Sequence, residues 1–101
     1  MNYLEKVKDD YQSMSDLVIK NVKKINIIYL ESLCDQDKIN DYILKFTNIH
    51  HIPKDITKLI PSPNVKEIQK YEDLKLFLEQ GFTIILNKNQ SIAIETKPNL
   101  T

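Results

Sequence analysis

Arginine and tryptophan are absent from this 101-residue chain, and glycine (Gly81) and cysteine (Cys34) each occur once. All 14 cations are therefore lysines, and they balance 14 acids to a formal net charge of zero. Lysine is a point charge without the planar fork that grips a phosphate or carboxylate in two places, so a site built on bidentate anion recognition is not expected. Zero net charge argues against a nucleic-acid backbone or an anionic membrane surface as a general partner. One glycine cannot build a glycine-rich phosphate loop or a dinucleotide fingerprint. One cysteine excludes an internal disulfide and points to a reducing compartment. No apolar run approaches the ~20 residues of a membrane span. The opening MNYLEKVKDD is charged throughout and lacks the apolar core of a secretory signal.

What remains is ordinary for a globular protein: 42% hydrophobic and 28% charged residues. The length fits one domain, residues 1–101, and a chain of this size buries roughly 65% of its unfolded surface.

Leu4, Val7, Tyr11 and Met14 recur at helical spacing, so residues 1–14 read as an amphipathic helix ended by Ser13 and Ser15. Leu17 to Val22 and Ile25 to Leu30 are β-rich runs separated by Lys23-Lys24, a hairpin pattern. The turn lacks glycine, which weighs against a tight primed turn. The second run is almost wholly apolar and predicts a central strand covered on both faces.

Asp35 then precedes Ile39, Tyr42, Ile43 and Phe46, the apolar stripe of a helix. Asp35 suits its N-cap, Asp37 complements the dipole, and Asp41 with Lys45 makes an i, i+4 pair. Pro53, Pro61 and Pro63 break the middle of the chain, leaving room for one helical turn over Asp55 to Ile60 and a short strand over Val65 to Gln69. Tyr71 to Gln80 reads as a helix with Gly81 as its C′ residue. Phe82 to Leu86 and Ser91 to Thr96 read as a second hairpin across Asn87–Gln90, residue types that tolerate left-handed dihedrals. The predicted fold is α+β: a small mixed β-sheet with helices packed on it, in the order α-ββ-α-(β)-α-ββ.

Candidate chemistry is sparse. Cys34 stands just ahead of a helix N-terminus, where a thiolate is favoured, but no His or Lys pairs with it locally, so a small buried hydrophobe is the simpler reading. His50 and His51 are adjacent and in extended chain point opposite ways, which suits a loop better than a metal site. Asp35, Asp37 and Asp41 match no Ca²⁺-loop spacing, and helix-end electrostatics accounts for the first two. Tyr29, Tyr42 and Tyr71 sit at core periods. Ser13 and Ser15 lack a nucleophile-elbow context. No catalytic residue, metal ligand or cofactor is assigned, and a small α+β enzyme or metal protein using Cys34, His50 and His51 is the least favoured class.

Several segments together carry a family resemblance. Asp16 to Lys20, Ile27 to Leu33 (IIYLESL), Asp35 to Leu44 (DQDKINDYIL), Glu79 to Leu86 (EQGFTIIL) and Ile92 to Thr96 (IAIET) resemble the A subunit of bacterial spore germinant receptors, the GerA type. The likeness spans roughly residues 15–97. Glu31-Ser32 replaces the family's Asp-Gly, Asn87 or Asn89 its hairpin glycine, and Pro98-Asn99 its Gly-Trp.

The resemblance implies the first N-terminal soluble subdomain of a longer receptor at the spore inner membrane. It implies a non-enzymatic role in sensing nutrient germinants or coupling that sensing to the membrane part. The implied partners are the B and C type subunits, the rest of the A subunit, and small nutrients such as amino acids or sugars. The alternative is a pure interaction module for receptor assembly with no small ligand. The strand-end loops Glu31 to Asp35 and Asn87 to Gln90 are the expected places for any ligand contact.

Overall fold

The strand Ile25–Leu30 organises the molecule, with alternate side chains entering two separate apolar layers. In this computed structural model, residues 2–60 and 64–99 are described; the expected breakers Pro61 and Pro63 lie outside them. The elements are α1 (Tyr3–Asp10), β1 (Leu17–Val22), β2 (Ile25–Leu30), α2 (Gln36–Asn48), β3 (Val65–Glu67), α3 (Tyr71–Glu79), β4 (Phe82–Leu86) and β5 (Ser91–Glu95). Short 3-10 turns occupy Glu31–Leu33 and Ile56–Leu59.

The five strands form one sheet in the order β1-β2-β4-β5-β3. The α+β class stands, and every strand pairing is antiparallel. The reason no parallel pair forms is topological. β3 and β4 both run antiparallel to β5, so they are parallel to each other, but β5 lies between them. The crossover through α3 thus joins two strands that never touch as neighbours.

Ile25, Ile27 and Tyr29 of β2 face one layer, with Ile85, Ile92, Ile94 and, from α2 and the 3-10 turn, Ile39, Phe46 and Ile56. Ile28 and Leu30 face the other, with Val7 and Tyr11 of α1 and Leu74 and Leu78 of α3. Both faces are covered, which is why β2 and β4 are apolar at nearly every position although the sheet is antiparallel. Each such fully buried Ile or Leu contributes about 1.5–3 kcal/mol from the area it removes from water.

Two expectations for the helices change. α1 ends at Asp10, and Met14 lies beyond it, 41% exposed, because the chain turns at Tyr11 before Met14 can join the stripe. Lys45 does not close on Asp41; its ammonium donates to the Leu59 carbonyl at 3.4 Å, and Lys75–Asp10, at 3.7 Å, is the only ion pair among the described residues.

The β1–β2 turn is the tight primed kind. Val22 pairs with Ile25, and Lys23 and Lys24 have φ of 50° and 68°. Such a turn matches the twist of the strands it joins. For lysine the left-handed region costs roughly 1–2 kcal/mol per residue, and the six-pair register of the hairpin imposes it.

Candidate functional site

The two loops expected to carry contacts lie at opposite ends of the sheet. Leu30, at the exit of β2, lies beside the start of β4 and the end of β5, while Asn87–Gln90 joins the other ends of those strands. No single site contains both.

At the end where β2 exits, polar groups are tied to one another, beside an open groove of about 480 Å³ whose lining includes Leu33, Glu79, Glu95 and Lys97. The Asp16 carbonyl accepts from the Glu31 amide at 2.8 Å, and the Asp16 carboxylate from the Ser32 hydroxyl at 2.5 Å. The Asp35 amide donates to the Thr96 carbonyl at 2.7 Å, while the Asp35 carboxylate accepts from the Asp37 amide at 2.9 Å and caps α2. Between them lie two buried threonines. Their hydroxyls are 2.8 Å apart, and that of Thr96 also donates to the Gly81 carbonyl at 2.9 Å. Gly81 has φ +90°, and a Cβ there would lie 2.7 Å from the Leu33 carbonyl oxygen. It meets both demands of a helix C′ position: left-handed backbone and a close approach.

Cys34 is half-buried in this arrangement, its Sγ 3.3 Å from the Thr96 hydroxyl and 3.4 Å from the Gly81 carbonyl. Burial pushes its thiol up, outweighing the hydrogen bonds from Thr96 and Thr83 that favour the thiolate. That is the opposite of an activated cysteine. His50 and His51 are exposed beyond the far end of α2. The 13 residues of that helix separate them from Cys34 by about 20 Å at a rise of 1.5 Å each. Asp37 and Asp41 are exposed, and among the described residues no three His, Cys, Asp or Glu side chains are grouped as a metal site would need.

Tyr29 is core, as expected, and Tyr42 packs half-buried against the same layer. Tyr71 is only partly buried and does something its spacing did not show. Its phenol donates to the Asp10 carboxylate at 2.7 Å, while the Tyr11 phenol donates to that of Glu79 at 2.5 Å. The two bonds pin α1 to α3. Burial first, then the bonded carboxylate, raises both phenols well above their ordinary value. Exposed Leu44 and Leu76 stand on helices that cover opposite faces of the sheet, so they build no common patch.

The other end carries the β4–β5 turn. Asn87–Gln90 turns without any left-handed residue, contrary to the reading of its asparagines. Instead the Asn87 side chain accepts from the amides of Asn89 at 3.0 Å and Gln90 at 2.7 Å, replacing the backbone conformation with a side-chain cap. Gln90 in turn reaches the proline-broken segment, donating to the Asp55 carboxylate at 3.0 Å and accepting from the Ile56 amide. Hydrogen bonds from the Thr57 hydroxyl and then Gln90 hold the Asp55 carboxyl below the usual range.

Beside this turn lies an open groove of about 500 Å³ between the start of α1, the Lys23-Lys24 turn and the β4–β5 loop. Tyr3, Leu4 and Leu86 are its apolar lining, with Asn2, Asn26, Asn87 and Ser91 around them. Lys24 and Lys88 are its only charged lining residues among those described. Of the expected contact loops it includes Asn87 and Lys88, but not Glu31 to Asp35. The sequence signal for it was the two-residue spacing of the first hairpin, which sets Lys24 at the strand end; what it did not show was that α1 begins at the same edge.

No helix among the described residues is long and apolar enough to cross a membrane. Comparison with protein-family models, curated proteins and solved structures gives no match.

Proposed function

We propose that the chain is a non-catalytic receptor domain, the first soluble N-terminal subdomain of a spore germinant receptor A subunit, acting in nutrient sensing or in passing the sensed state to a membrane part. One observation carries the reading. The polar positions of the resemblance form a working strand–loop–helix unit, in which Asp16 holds both Glu31 and Ser32 and Asp35 caps α2. Gly81, from the far segment of the resemblance, closes onto the same unit through the Leu33 carbonyl and Thr96. Segments 48 residues apart in the chain, at Leu33 and Gly81, thus meet in one module.

A domain of this kind acts by differential contact with its neighbours in two states. The test is cross-linking in intact dormant spores, with recovery through an antibody against this chain. The expected result is cross-linked B and C type receptor subunits in the inner-membrane fraction, and slower nutrient germination when the gene is disrupted. Recovery without any such subunit, with germination unchanged, overturns the proposal. Cross-links that form equally with and without nutrient would favour the assembly role over the sensing one.

A further inference from the structure

The open groove at the entry end of β2 has a composition unlike the rest of this charge-balanced surface. Its charged lining consists of Lys24 and Lys88, and neither has a carboxylate within 4 Å among the described residues. Lys23, by contrast, is committed to the Ile49 carbonyl. The first turn of α1 opens at the same place: Asn2 caps the amide of Glu5 at 2.9 Å, and the amides of Tyr3 and Leu4 are the remaining donors that an α-helix cannot satisfy internally. Two lysines and the start of a helix therefore line one concavity.

Tyr3, Leu4 and Leu86 supply an apolar lining of similar extent to the polar one. Lysines give point charges without a bidentate fork, so recognition would select for charge and for the body of the ligand more than for the geometry of its head group.

We infer that this groove binds a small organic oxyanion: one carboxylate or phosphate head placed between Lys24 and Lys88, with a ring or short apolar body against Tyr3, Leu4 and Leu86. The site rests on the receptor reading only for its biological use; binding itself is independent of that reading. The strained turn has a role in this arrangement. The left-handed backbone at Lys23 and Lys24 places consecutive lysines apart, one to the Ile49 carbonyl and the other to the groove.

The experiment is a ¹⁵N-resolved NMR titration of the whole chain with benzoate and with phenyl phosphate, using benzamide as the uncharged control. Saturable shifts are expected at Tyr3, Leu4, Lys24, Asn87 and Lys88, with benzamide at least about tenfold weaker because it cannot use charge-assisted hydrogen bonds. The ratio of the two anions identifies which head group is preferred. The Lys24→Asn, Lys88→Gln double variant should weaken both anions by at least about tenfold. Asparagine tolerates the left-handed backbone, so this variant keeps the turn. The Lys54→Gln, Lys58→Gln variant, on the other side of the sheet, should bind as the parent does. Diffuse shifts at lysines all over the surface, equal binding of benzamide, or undiminished binding in the Lys24/Lys88 variant each overturn the inference. Oxyanion binding without any spore phenotype would leave the groove in place and remove the receptor reading.

Discussion

At the end of the sheet where β2 exits, Thr83, Thr96, Gly81, Cys34 and Asp35 satisfy one another's polar groups, and a glycine carries the strained backbone. At the end where β2 enters, two lysines carry the strain, an asparagine side chain substitutes for a turn glycine, and a groove is left between them. The contrast separates two uses of the same chain. One end puts its hydrogen bonds into holding the fold, and the other leaves charge and donors unspent. Function is easier to place where polar groups have not already been used by their neighbours.

The comparison is broken most severely at Gly81. Gly81→Ala places a Cβ against the Leu33 carbonyl at a left-handed position. Adding the conformational cost to the overpacking cost gives about 3 kcal/mol of lost stability, read as a lower urea midpoint. A loss under about 1 kcal/mol would mean that this end relaxes freely.

Next is Thr96→Val, which removes a hydroxyl that serves Thr83, Gly81 and Cys34 at once. A loss of about 2 kcal/mol is expected, because the partners stay buried. The Thr83→Val, Thr96→Val double variant sharpens the point. It should cost less than the sum of the singles, since two apolar groups of the same shape leave fewer orphans. Simple additivity would show that the two hydroxyls do not form a unit.

At the end with the β4–β5 turn the effects are smaller. Asn87→Ala removes one acceptor for two exposed or half-exposed amides and should cost about 1 kcal/mol by the same denaturation measurement. Lys24→Gly should raise stability by about 0.5–1 kcal/mol, the relief of left-handed strain less the entropy glycine adds to the unfolded chain. If Lys24→Gly instead destabilises, the lysine stem contributes packing that the turn geometry does not reveal.

Periodicity made the layers legible. The alternation in β2, the stripe from Ile39 to Phe46 and the helix ending at Gly81 all follow from side-chain spacing, and each element forms near its expected bounds. The three-residue strand Val65–Glu67 was legible from five alternating residues, though only its first three pair. What spacing could not supply was long-range partnership. Tyr11 with Glu79, Tyr71 with Asp10 and Gln90 with Asp55 join residues 35 to 68 positions apart. Nor could it show that β5 inserts between β3 and β4, or that Glu31–Asp35 and Asn87–Gln90 face opposite ways. The absence of glycine in the first turn pointed away from a primed geometry that strand register imposes nonetheless. The groove was partly visible, in Asn87 and Lys88, but its third wall comes from α1, which no local pattern ties to the hairpins.

The insertion of β5 has a consequence for how the chain is made. β3 has only that strand as a hydrogen-bonded neighbour, and Ser91–Glu95 follows it by more than 20 residues. During synthesis β3 and α3 therefore emerge before the strand that docks β3 exists, while β1, β2 and β4 already have one another. A nascent chain halted before Ser91 would hold a three-stranded nucleus with a dangling arm, and β5, once made, acts as the latch that joins them.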